Sequence, residues 1–335
     1  MKTKHLFIVL FGLLSITLNS QNFDKFWSKV ETLELNGELK SAQKLVTKIY
    51  KKAKQKNNPQ QVIKSFIYMS KFNQVLKENT TSLFITSIDK EITQHGFPTN
   101  AILENILANF LIELYKNNSY QINKRSITGS KYNDIETWSK QDFENEIHKH
   151  LQNSLRDKEK LQNEALKAYL QILIGNANAL KYRNTLYDYL MHNALNYYKW
   201  HSATKISFFE VYSDTILFSK PKDFIAFNFK TDTLISNVNA LKMYQELEKL
   251  YLKNKAYYKL FDAVKTRFEY IKNTNYNFQY TKDNAAFFTN AITSIITDFK
   301  DEEAISVLQF YLAEFYYVTT KNYNLITPIP ARTLY

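Results

Sequence analysis

Six histidines, His5, His95, His148, His150, His192 and His201, are the side chains best suited to move protons or hold a metal near neutral pH. Two of them sit close together in EIHKH, Glu146 to His150. On a helix His148 and His150 point about 200 degrees apart and cannot share a metal ion, whereas Glu144 and His148 lie one turn apart on a common face. That makes two ligands with no third nearby in sequence, so the stretch reads as a solvated helix face. Asp188 and His192, one helical turn apart in LYDYLMHNAL, have the spacing of an acid–base pair. With Tyr187, Leu190 and Met191 around them, a buried hydrogen-bonded pair in a packed helix is the better reading, and a hydrolase built on the two is the lesser one. No Gly-rich phosphate loop, GxSxG elbow or HExxH helix occurs. The absence of cysteine removes disulfides, zinc ribbons, thiol nucleophiles and thioesters. No catalytic residue, cofactor-binding residue or metal ligand is assigned, no cofactor is expected, and the expectation is a chain that is not an enzyme.

The elements that carry these residues are helical. Of 335 residues 44% are hydrophobic and 15% aromatic, yet there are only five glycines and five prolines, too little punctuation for a many-stranded sandwich. Phe23, Phe26, Trp27, Val30 and Leu33 recur at three- and four-residue steps until Asn36-Gly37 stops them. A second stripe runs through Leu39, Ala42, Leu45, Val46, Ile49 and Ala53. Asn57-Asn58-Pro59 then starts a third helix with Val62, Phe66, Met69 and Phe72 on one face. Further helices are expected over 81–95, 98–116, 140–155, 158–174, 185–200, 236–253, 255–272, 282–298 and 302–318, with a polar loop over 117–137. The stretch 206–229, rich in aromatic and β-branched residues around Pro221, reads as an irregular linker or a pair of short strands.

Residues 1–20 read as a secretory signal peptide, Lys2 and Lys4 preceding an apolar run too short to be a membrane anchor. The formal net charge of +12 comes from 44 basic and 32 acidic residues, and loss of the leader would leave +10. Acids are interspersed among the lysines, and the densest group, KIYKKAKQK at Lys48 to Lys56, reads as a solvated helix face with no nucleic-acid partner. The expected organisation is thus a signal peptide (1–20), a helical-hairpin array (21–205), a linker (206–235), a second array (236–320) and an irregular tail (321–335). No integral membrane segment is expected after signal cleavage, and the product is expected in the periplasm, the cell envelope or the medium.

Turns such as NGELKSA and FKDEEAI, each followed by a helix with alanine on its inner face, resemble the tetratricopeptide style of repeat, although no fixed 34-residue period is found. The fold class is therefore read as all-α, an irregular α-solenoid of antiparallel hairpins. The 24 tyrosines and 24 phenylalanines fall in runs such as NYYKW, KAYYKLF, NAAFF and AEFYY. At helical spacing they are core first, with an exposed aromatic face for a peptide or carbohydrate as the alternative.

Longer stretches carry a family resemblance. FDKFWSKVETLELNGELKSAQKLVTKIYKKAKQKNNPQQVIKSFIYMSKF, IETW at Ile135 to Trp138, YRNTLYDYLMHNALNYY at Tyr182 to Tyr198, ALKMYQELEKLYLKNK and AISVLQFYLAEFYY together resemble the amino-terminal helical region of secreted alpha-2-macroglobulin family proteins of the Bacteroidetes type. The likeness spans Phe23 to about Tyr323, and TLYDYLMHNAL is its most specific part. It implies a link to endopeptidase inhibition by protease trapping. The chain has no bait segment, no CxEQ thioester and no macroglobulin β-domains, so none of the family's functional residues can be placed on it. The last stretch, KNYNLITPIPARTLY, departs from helical patterning as the end of a truncated, frame-shifted or split product would. The leading expectation is a non-enzymatic scaffold module, whose partners would be the remaining macroglobulin domains if the gene is split. The alternative is a tetratricopeptide-like module of the envelope that binds a protein or peptide.

Overall fold

In the first helix, α1 (23–35), Phe23, Trp27 and Val30 turn inward, and the helix ends as its Asn-Gly pair requires. Gly37 takes φ of 76°, so that its N–H reaches Glu34 O at 3.0 Å while Glu38 N–H reaches back to Leu33 O at 2.8 Å. The same closure recurs with Asn57 (φ 48°) after α2 (Leu39–Gln55) and with Lys255 (φ 51°) after α11 (Ser236–Lys253). α3 (Pro59–Leu76) opens with proline in its first turn and with Asn58 Oδ1 accepting the Gln61 N–H at 3.1 Å. Ala42, Val46, Ile49 and Ala53 of α2 close with Phe23, Trp27, Val30, Val62 and Phe72 into one core cluster. Small residues on the α2 face let the aromatic rings of its neighbours approach. The computed structural model describes residues 23–76, 80–126, 135–173, 180–202, 214–229, 236–274 and 282–323.

The chain divides into two compact units, Met1–Gly175 and Asn176–Tyr335. In the first, α4 (Thr80–Gln94) packs on α5 (Thr99–Ile122), which packs on α6 (Lys140–Ser154); α7 (Lys158–Asn163) follows. In the second, α8 (Leu186–Ser202) packs on α11, which packs on α12 (Tyr257–Thr274). The short α9 (Asp214–Leu217) and α10 (Pro221–Ala226) precede α11, and α13 (Lys282–Asp298) pairs with α14 (Ser306–Tyr323), which also packs on α12. The fold is all-α, with helices packed largely on their sequence neighbours, and among the described residues there is no strand. No described helix is long and apolar enough to cross a membrane.

Several expectations need correction. The polar loop expected over 117–137 begins later, because α5 runs on to Ile122. There Asn118 Nδ2 donates to Leu114 O at 2.9 Å, Tyr115 Oη donates to Asn123 Oδ1 at 2.9 Å, and Ile122 is buried. An Asn-rich stretch stays helical when one of its residues anchors in the core. The helix expected over 158–174 breaks instead at Glu164, whose backbone is extended; Tyr169, in a 3₁₀ turn at Leu166–Tyr169, donates its hydroxyl to Glu164 Oε1 at 2.7 Å. Across 206–229 the described part holds α9 and α10 rather than strands, and 206–213 lie outside the described residues. The division between units falls upstream of the boundary expected after residue 205, because α8 packs on α11. α14 extends into the segment expected to be an irregular tail, ending at Tyr323. The leader reading for 1–20 and the remainder of the tail lie outside the described residues.

Candidate functional site

α8 carries the residues with the strongest claim on chemistry. Thr185 and Asp188 form a capping box: the Asp188 N–H donates to Thr185 Oγ1 and the Thr185 N–H donates to Asp188 Oδ2, both at 3.1 Å. The Asn184 N–H adds a third bond to Oδ2 at 3.1 Å. From α11, Tyr251 Oη donates to Asp188 Oδ1 at 2.8 Å, and from α12, Lys259 Nζ donates to Oδ2 and to Asn184 Oδ1, each at 2.7 Å. Asp188 is 1% exposed, so this is a buried carboxylate on which three helices converge. Burial and the carboxylate together push the Tyr251 hydroxyl far above its ordinary range.

His192 lies one turn further along α8 and is also buried, but none of the Asp188 bonds goes to it. The hydrogen-bonded Asp188–His192 pair expected from the spacing does not form, because capping has turned the carboxylate toward the helix start and toward α11 and α12. Burial, then the nearby Arg183 guanidinium, hold the imidazole of His192 down to about 3, so it is neutral at physiological pH. An acid–base couple needs its two groups within hydrogen-bond reach, and these two are not.

The EIHKH stretch is likewise corrected. His150 does not lie on a solvated face: it is 3% exposed, with Nδ1 at 2.5 Å from Glu104 Oε2 on α5 and Nε2 at 3.5 Å from Glu146 Oε2 on its own helix. Asn153 Nδ2 donates to the other Glu104 oxygen at 3.1 Å. Burial pulls the His150 imidazole down, yet the bonds to Glu104 and Glu146 prevail and its pKa is raised. Glu144 lies 3.7 Å from Lys140, and burial lowers His148. Among the described residues no three His, Asp or Glu side chains come together as a metal would require. His95 Nε2 lies 3.0 Å from Glu91 Oε2, which also accepts the Tyr50 hydroxyl at 2.5 Å, and His201 packs tilted against the Tyr197 ring and edge-on to Trp200. His5 lies outside the described residues.

One buried pair was missed by sequence reasoning. Arg267 on α12 and Glu248 on α11 are both fully buried; Arg267 Nε donates to Glu248 Oε1 at 2.7 Å, and its remaining nitrogens donate to Leu217 O and Ser219 O. The guanidinium also lies 3.9 Å from the centre of the Phe224 ring. Burial raises the Glu248 carboxyl and Arg267 draws it back. The signal was present: Glu248 lies between Leu247 and Tyr251, and Arg267 between Val264 and Phe268, both inside apolar stripes where an unpaired charge is costly.

Two clefts remain. One of about 310 Å³ lies between the α2–α3 and α4–α5 turns, lined by Lys54, Asn57, His95 and Phe97 among others. The other, about 300 Å³, runs between Glu269 and Lys272 of α12 and Tyr311, Phe315 and Val318 of α14. Tyr317, 64% exposed, also lines it, and Phe310, equally exposed, lies two turns earlier on α14. No family model, no curated protein and no solved structure matches this chain.

Proposed function

We propose that the chain is a non-enzymatic helical scaffold module of an exported alpha-2-macroglobulin family protein, tied to endopeptidase inhibition only through that family. The observation that supports this reading is the use made of Asp188. The stretch TLYDYLMHNAL, on which the resemblance rests most heavily, supplies a helix cap and a buried carboxylate that fastens α8 to α11 and α12. Its polar residues hold helices together, and holding helices in place is what a scaffold does. Without cysteine the chain has no thioester with which to capture a protease covalently. Purified protein mixed with several endoproteases should be cut as an ordinary substrate, leaving their activity on large substrates intact. Loss of that activity while small substrates are still cleaved would overturn the reading. Export is tested by fractionating cells and sequencing the amino terminus of the accumulated product, expected near Gln21; a cytoplasmic chain that retains Met1 would contradict it.

A second reading, a tetratricopeptide-like stack of hairpins that binds an envelope protein or peptide, is favoured by α14. Its exposed Tyr317 and Val318 line a cleft, with Phe310 exposed two turns earlier on the same helix, as on the binding faces of helical arrays. Photo-crosslinking from position 310 in intact cells distinguishes the two: adducts with a soluble envelope partner support peptide binding, and adducts with macroglobulin domains support the scaffold.

A further inference from the structure

We propose that the outer ridge of α2 is an electrostatic adhesion surface for a membrane rich in anionic lipid. Between Leu39 and Gln55 this helix carries six lysines and no acidic residue. Its inner face, Ala42, Val46, Ile49 and Ala53, is buried in the core. Lys40, Lys44, Lys48 and Lys51 therefore fall on the opposite side at helical spacing, all exposed, along a line about 16 Å long at 1.5 Å per residue. None of these four makes an ion pair, hydrogen bond or ring contact in the structure.

The acidic side chains of the neighbouring helix are directed elsewhere. On the neighbouring α1, Glu34 pairs with Lys71 of α3, and Asp24 and Glu31 act on Lys64 of α3. The two remaining α2 lysines turn aside: Lys52 lies 5.0 Å from the Phe26 ring, and Lys54 Nζ donates to Gln94 at 3.3 Å. Four like charges on successive turns repel one another, which a counter-surface of negative charge relieves.

Lipid is favoured over nucleic acid by the kind of residue present. The four exposed charges are all lysine, with no arginine fork to read a base edge and no exposed aromatic ring between them to stack one. Compact, strongly hydrated ammonium groups on long stems suit a diffuse field of phosphate head groups. With no large apolar side chain on the ridge, attachment is by charge alone and lies on the surface without insertion.

The test is co-sedimentation of the protein, purified in the form its host accumulates, with phosphatidylcholine vesicles and with vesicles containing about a third phosphatidylglycerol. The expected result is binding to the anionic vesicles at about 0.02 M salt, loss at about 0.5 M, and no binding to phosphatidylcholine. The variant Lys44→Gln, Lys48→Gln, Lys51→Gln should weaken partition about 100-fold. The variant Lys167→Gln, Lys222→Gln, Lys249→Gln, which removes equal charge from exposed positions elsewhere, should bind like the unaltered protein. Equal loss in both variants, tighter binding to duplex DNA than to the vesicles, or no vesicle binding at low salt would each overturn the proposal. Circular dichroism of both variants shows that the helices persist.

Discussion

Arg267 on α12 closes on Glu248 of α11 inside a core that excludes water, Nε to Oε1 at 2.7 Å with both side chains fully buried. Its other nitrogens hold the carbonyls of Leu217 and Ser219, so one guanidinium joins α11, α12 and the turn after α9. Removing either partner alone strands a charge in that core. Arg267→Met and Glu248→Leu should each lower unfolding free energy by about 3 to 5 kcal/mol in urea denaturation. The double substitution should cost less than the two singles added, because neither charge is then left alone. Strict additivity would show that the pair does not act as a unit.

The Asp188 hub makes a separate claim. Asp188→Asn keeps the shape of the side chain but weakens its hold on Lys259 and on the capping N–H groups, so a loss of about 2 kcal/mol is expected. Tyr251→Phe removes one bond to the same carboxylate and should cost about 1 kcal/mol. In a double-mutant cycle the two should be coupled. A hydrolase reading would instead require an activity that vanishes in Asp188→Asn at unchanged stability, which assay of the folded variant against ester and peptide substrates checks.

Much of the helical layout was legible because apolar residues recur at three- and four-residue steps and because Asn-Gly and Asn-Asn-Pro mark turns. Ser236–Lys253 and Lys282–Asp298 have the bounds that periodicity predicts. The failures have local causes. Asn117 to Ile122 looks like loop by propensity, yet Ile122 anchors it; Lys158 to Ile174 looks like one helix, yet the Tyr169 bond to Glu164 bends it. The buried polar clusters were the least legible. His150 finds Glu104 across 46 positions of sequence and Asp188 finds Tyr251 across 63, and no local pattern encodes such partners. The T-x-x-D capping box at Thr185 to Asp188 was readable and would have explained that stretch.

Two of the buried histidines, His192 and His150, bend stability with pH in opposite directions. His192, held near 3 against an ordinary 6.5, stays neutral in the fold while the unfolded chain takes up a proton. Its contribution is therefore complete above about pH 6.5 and is lost as pH falls toward 3. His150, raised above 6.5 by Glu104 and Glu146 against the opposing effect of burial, contributes fully below 6.5, and that contribution fades as pH rises through its higher folded value. His192→Leu should flatten the acid limb of a urea-midpoint profile run from about pH 4 to pH 9, and His150→Gln the alkaline limb. A His150→Gln profile parallel to the unaltered protein above pH 6.5 would show that the clasp to Glu104 carries no proton linkage.

Lys255 offers a change that should stabilise. It closes α11 with a left-handed backbone, φ 51°, its N–H reaching Leu252 O at 3.2 Å while the Ala256 N–H reaches Tyr251 O at 2.9 Å. The same closure after α1 uses Gly37, which has no Cβ to crowd the carbonyl. A lysine pays steric strain of about 1 kcal/mol there. Lys255→Gly relieves that strain at a smaller entropic cost in the unfolded chain and should raise stability by about 0.5 kcal/mol. Gly37→Ala is the reverse experiment, with an expected loss of about 1 kcal/mol although nothing lies within 4 Å of the added methyl position. Opposite signs in the two thermal melts would place the effect in backbone conformation, whereas a loss at both positions would point to a packing role for the Lys255 side chain.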